Sequence, residues 1–135
     1  YEVIAFDAVD RNGTPIYHTN VLMNVGETCA FICLSAIERD EQREAVLTSL
    51  EKTGHDVISI SFEQMEAFAG NMLELRARDG NRVIAMSDQA LKSLNDAQIS
   101  VIDDNANIIT ANIDNIESSA GGSVRCMLAE IHLQR

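Results

Sequence analysis

The chain has 135 residues, 46% of them hydrophobic, and 21 acidic side chains against 10 basic ones, for a formal net charge of −11. That size and apolar content suffice for one domain or part of one. The negative balance repels phosphate backbones and anionic lipid, so neither nucleic acid nor a membrane is an expected partner.

No stretch approaches the roughly 18 apolar residues of a membrane span, no signal-peptide pattern opens the chain, and a cytoplasmic location is expected. The first residue is Tyr1 rather than Met, which points to a piece of a longer protein. Three scattered cysteines, Cys29, Cys33 and Cys126, argue against a disulfide framework. The histidines His18, His55 and His132 show no metal-ligand spacing, so no metal site and no cofactor is expected.

In chain order, 1–10 (YEVIAFDAVD) reads as a strand, and the Asn-Gly turn signal in 10–15 leads to a second strand over 16–26. CAFICL, 29–34, is an apolar strand. From Glu38 to Thr53 charges alternate with Ala45, Val46, Leu47 and Leu50 as in an amphipathic helix, with Gly54 placed to end it. DVISIS (56–61) returns to strand, and a short helix follows over 62–69. Two strands then flank an Asp-Gly-Asn turn within 71–87. The reading continues with a helix over 88–97, a strand over 98–103 and a tail that alternates strand and turn.

Sliding the chain on itself by 51 residues lays Asn20–Ser35 over Asn71–Ser87 with one gap. Asn20 then meets Asn71, Leu22 meets Leu73, Ile32 meets Ile84 and Ser35 meets Ser87. Each copy is followed by a helix and a strand. The expected units are 16–61 and 71–103, with a partial third unit over 107–135. A strand-strand-helix-strand unit cannot bury its own face alone, and two or three are too few to close a ring.

Strand parity addresses Cys126. In a strand from Val124 onward, Val124, Cys126, Leu128, Glu130 and His132 share one face, and Met127, Ala129, Ile131 and Leu133 form the apolar one. Cys126 lies on the more polar face, beside a Gly-Gly pair that allows close approach of a ligand. The same test sets His18 and Asn20 on one face of the strand 16–26. An exposed face and a site-lining face are equally compatible with that strand alone. Cys29 and Cys33 read as small core hydrophobes, and His55 as a solvated or capping residue. A thiolate beside an imidazolium is sufficient for attack on a planar carbon.

IYHTNV, followed far downstream by AGGSVRCM, resembles the pentein superfamily of guanidino-modifying enzymes. With ICLSAIE and FAGNMLEL, the chain is most similar to the amidinotransferase-like branch associated with citrulline hydrolysis. The resemblance implies an α/β propeller of five strand-strand-helix-strand units, of which this chain is the C-terminal part. It also implies Cys126 as nucleophile and His18 as general acid and base. Asn20 and Asn71 are the expected substrate-binding residues. Deiminases of the superfamily carry an acid where this chain has Asn20, and an amide suits a neutral ureido group.

The expected function is therefore cysteine-dependent hydrolysis of a linear C–N bond in a ureido or guanidino substrate, citrulline first. Amidino transfer and a non-catalytic binding or structural role are the alternatives. The expected partners are that small molecule and the N-terminal remainder of the same protein, which would supply substrate-binding carboxylates. A homo-oligomer is left open. Residues 1–135 alone are expected to be inactive and prone to self-association.

Overall fold

The computed structural model describes residues 2–129. After a hairpin-like turn at Gly13, closed by a bridge between Val9 and Pro15, the chain makes one helical turn, α1 (Thr19–Leu22). It then enters a three-stranded sheet of β1 (Met23–Val25), β2 (Cys29–Ile32) and β3 (Asp56–Ser59). β1 runs antiparallel to β2, and β2 parallel to β3. The crossover between the parallel strands carries a short 3-10 turn, Leu34–Ala36, and the helix α2 (Asp40–Lys52).

Asp40 and Glu41 in the first turn of α2, and Lys52 in its last, oppose the helix dipole with the favourable sign. Arg43 ties the helix back by donating to the carbonyls of Leu34 and Ile37. Val46 and Leu50 form its buried stripe. Past the helix, Gly54 adopts φ +83°, which a residue without a Cβ reaches freely. β2, the central strand of this mixed sheet, is buried along its whole length. Phe31, Ile32 and Cys33 are fully inaccessible.

The second half repeats the plan. α3 (Phe62–Glu66), opened by a Ser61–Gln64 capping box, leads to β4 (Leu73–Arg76). A turn through Gly80 at φ +88° returns the chain along β5 (Arg82–Ser87). Two helices, α4 (Asp88–Ser93) and α5 (Asp96–Asp103), then cross to β6 (Asn107–Ala111). β4 is antiparallel to β5, and β5 is parallel to β6. Met23 pairs with Ile32 and Glu74 with Ile84, so the self-match of the sequence and the strand register coincide. The chain continues through α6 (Asp114–Ala120) and a final turn, α7 (Val124–Met127).

The expected mixed α/β class is observed, and the two small sheets do not close into a ring among the described residues. Four expected elements differ. Residues 2–10 form no strand beyond the bridge at Val9. The strand expected over 16–26 is confined to Met23–Val25, because the His18 ring caps a helical turn before it.

The strand expected over 98–103 is the helix α5. There Asn95 and Gln98 form a reciprocal capping box that satisfies the first free N–H groups. The third strand of the second unit is instead β6, so Asn107 completes that unit rather than opening another. Finally, Val124–Met127 is helical and Leu128 and Ala129 belong to no strand, which removes the parity argument there; Glu130 to Leu133 lie outside the described residues.

Candidate functional site

A cavity of about 550 Å³ opens where three segments meet, each of them leading into or out of a sheet. The turn 10–21 brings His18 and Asn20, the stretch after α3 brings Phe68 and Asn71, and the segment from the end of α6 into α7 brings Gly121, Gly122 and Cys126. All four residues singled out from the sequence, His18, Asn20, Asn71 and Cys126, therefore line one cavity, although 108 positions separate the first from the last.

Asn71 is the joint between the segments. It is buried, with 3% of its surface accessible. Its Nδ2 donates to the Asn20 carbonyl at 3.0 Å and to Cys126 Sγ at 3.2 Å, while its Oδ1 accepts from the Arg125 backbone N–H at 3.1 Å. Those two backbone bonds fix which end of the amide is which. Oδ1 also stands 3.7 Å from Sγ and can accept the S–H. One side chain thus contacts the sulfur in a way that serves both thiol and thiolate.

The sequence-level proposal for Asn71, substrate binding, meets a side chain whose hydrogen bonds go to protein groups. Asn20 presents the complementary case. Its backbone N–H donates to His18 Nδ1 at 3.3 Å and its backbone carbonyl is taken by Asn71. Its side chain has no hydrogen bond among the described residues and lines the cavity.

His18 is exposed and sits at the N-cap of α1. Nδ1 faces the Asn20 N–H, so Nε2 is the nitrogen that remains to exchange a proton with a ligand. Tyr17 meets the ring edge-on, with centroids 6.3 Å apart.

Cys126 is exposed, whereas Cys29 and Cys33 are core residues, as their apolar neighbourhood foretold. Burial pushes both of those thiols above the ordinary range, and for Cys29 the Glu74 carboxylate adds to it. Gly122 leaves the sulfur its space. A Cβ there would lie 3.3 Å from Cys126 Cβ and 3.4 Å from Sγ.

Two further residues around the site escaped the sequence reading. Glu117 is buried; its Oε1 accepts from Ser123 Oγ at 2.6 Å, and its Oε2 has no partner among the described residues. The Ser123 carbonyl in turn accepts the Cys126 N–H at 3.0 Å. Phe68 lines the cavity from a backbone φ of +66°, a conformation rare for an aromatic residue. The signal in the sequence was its place at a helix end where glycine is usual. His55 lies away from the cavity and caps α2, with contacts to Thr53 Oγ1, the Leu50 carbonyl and the Gly26 carbonyl. No group of three or more metal-ligating side chains occurs among the described residues. No described helix is long and apolar enough to cross a membrane.

The family model described as N,N dimethylarginine dimethylhydrolase, eukaryotic, matches residues 1–133. No curated protein matches the chain significantly. A match over nearly the whole chain places it: the chain belongs to the dimethylarginine dimethylhydrolase family, within the pentein superfamily.

Proposed function

We propose that this member of a guanidino-group hydrolase family cleaves a C–N bond of a ureido or guanidino substrate through a covalent bond to Cys126. The observation that carries the reading is the exposed sulfur held at 3.2 Å by the buried Asn71 amide, in the cavity that His18 also lines. The Cys126 thiolate attacks the central trigonal carbon and forms a C–S bond. The C–N bond to the leaving amine then breaks as the His18 imidazolium gives its Nε2 proton to the amine, which leaves the ring neutral. His18 next takes a proton from water as that water attacks the thioester-like carbon. The C–S bond breaks and the thiolate returns.

For the substrate we favour citrulline over dimethylarginine, the compound in the family's name. Asn20 offers an amide to the head group where a cation would call for a carboxylate. The acids that do line the cavity, Asp10 and Glu66, are already engaged: Asp10 by the N–H groups of Asn12 and Thr14, Glu66 by Arg11 at 2.6 Å.

The test compares the whole protein with its Cys126→Ala variant on citrulline, dimethylarginine and arginine, measuring ornithine, dimethylamine and ammonia. Loss of at least about 10³-fold in turnover on Cys126→Ala is expected, as for other nucleophile deletions, and unchanged turnover sinks the assignment. An added amine acceptor distinguishes hydrolysis from amidino transfer. Should 2-chloroacetamidine alkylate Cys126 no faster than Cys29 and Cys33, the site would be a packing feature rather than a catalytic one.

A further inference from the structure

Two helices lead into the cavity and stop in the same left-handed backbone conformation, but with different residues. α6 stops at Gly121, φ +65°. α3 stops at Phe68, φ +66°, the one residue other than glycine with positive φ among the described residues. The bonds of that stop are complete without any side chain. The Ala69 N–H reaches the Gln64 carbonyl at 2.9 Å, and the Phe68 N–H reaches the Met65 carbonyl at 3.0 Å. Glycine is the usual residue there, because a Cβ in this conformation crowds the neighbouring carbonyl. α6 uses glycine; α3 carries an aromatic side chain at the same strained place.

The ring borders the cavity beside His18, Asn71 and Cys126, and it also packs against the core. The backbone connects it to the nucleophile as well. The Phe68 carbonyl accepts the Asn71 N–H at 2.8 Å, and Asn71 holds Cys126 Sγ. Ring and sulfur are therefore positioned from one short segment. Backbone strain that a cheaper residue would remove is a mark of functional sites.

We propose that Phe68 is a substrate-binding residue. Its ring is the wall against which the planar head of the substrate and the first methylenes of its stem pack while Cys126 faces the central carbon. A planar head offers a face for stacking, and the methylenes are apolar. The proposal rests on the hydrolase reading given above.

Phe68→Gly in the whole protein removes the ring and the strain together, so the backbone is relieved rather than threatened. KM for the substrate, and the concentration at which 2-chloroacetamidine half-saturates alkylation of Cys126, should both rise about tenfold, the scale of one lost aromatic contact. The limiting rates, kcat and maximal alkylation, should stay within about twofold, because ring packing that is equal in ground and transition states enters KM alone. Phe68→Tyr, which retains the face, should keep the parent KM. Circular dichroism checks the fold, and Phe68→Asn, also tolerant of the left-handed region, carries the same measurement should the glycine variant not fold.

A folded Phe68→Gly protein with parental KM and half-saturation overturns the proposal, provided Cys126→Ala is inactive. Turnover by Cys126→Ala at the parental rate overturns the hydrolase reading and this inference together, so the two failures are told apart.

Discussion

The two sheets share one plan and bury it to different depths. In the first, β2 is inaccessible at every position and a single 13-residue helix covers the crossover. In the second, β5 is buried at four of its six positions, β6 alternates between half-buried and exposed, and the crossover is broken at Leu94 into two shorter helices. The edge strands β3 and β6 match, half-buried or exposed throughout, so the difference lies in the central strands and the crossovers. The comparison teaches where the site comes from. The sheets are interchangeable scaffolds, and what differs functionally is the segment that enters each strand pair: His18 before β1, Asn71 before β4 and Cys126 beyond β6.

If the first sheet is the stability centre, Phe31→Ala should be the most damaging of these changes to the fold, by about 3–5 kcal/mol in denaturant unfolding. Ile109→Ala, on the exposed edge strand of the second sheet, should lie within about 0.5 kcal/mol of the parent. Equal losses would break the contrast.

The junction between the units comes next. A Cβ at Gly70 would lie 2.7 Å from the Val21 carbonyl oxygen and 2.8 Å from the Leu22 carbonyl carbon, both backbone atoms that cannot swing aside. Gly70→Ala should therefore cost about 1–3 kcal/mol of stability. It should also lower the rate of Cys126 alkylation, since Asn71 is the next residue. A stability loss with unchanged alkylation would show that the junction and the site are independent.

A smaller effect separates the two helix stops. Gly121 has open space around its Cβ direction, so only the backbone conformation opposes a side chain there. Gly121→Ala should cost about 1 kcal/mol. A change of that kind with no measurable loss would undercut the argument that Phe68 is strained.

The smallest is a pH effect on the first unit's core. Burial raises the pKa of Cys29 and Cys33 above the ordinary thiol value of 9.0. In the unfolded chain these thiols ionise near that value, so the stabilisation they contribute is complete below it and is lost as pH rises through the higher folded values. Melting temperature should hold up to about pH 8 and decline above pH 9, and Cys33→Ala should decline less steeply. A Cys33→Ala profile that falls in parallel with the parent would exclude the thiol as the cause.

Much of this was legible in the residues. The Glu38–Thr53 pattern with Gly54 marks α2 to within two residues at its start and one at its end. The match of Asn20–Ser35 to Asn71–Ser87 anticipates two sheets of one topology, because matched apolar residues must sit at matched places in the pairing. The Gly-Gly run beside Cys126 points to close packing at the sulfur, which Gly122 supplies. The capping box at Asn95 and Gln98 was equally present, but the apolar run Ile99, Val101, Ile102 reads with either period, and the strand reading of 98–103 overlooked the cap.

What the sequence by itself determined is the local part: the helix caps and stops, the turn glycines, the buried thiols of Cys29 and Cys33, and the repetition of one unit. Those follow from hydrogen bonds and sterics among residues a few positions apart, and from apolar spacing. Only the tertiary structure decided that His18, Asn20, Asn71 and Cys126 share a cavity. Strand parity does not describe His18 or Cys126, since each lies at or in a helical turn. They meet because the buried Asn71 amide bonds to the Asn20 carbonyl on one side and to Arg125 and Cys126 on the other. A contact of that kind joins positions about fifty residues apart, and no local preference encodes it.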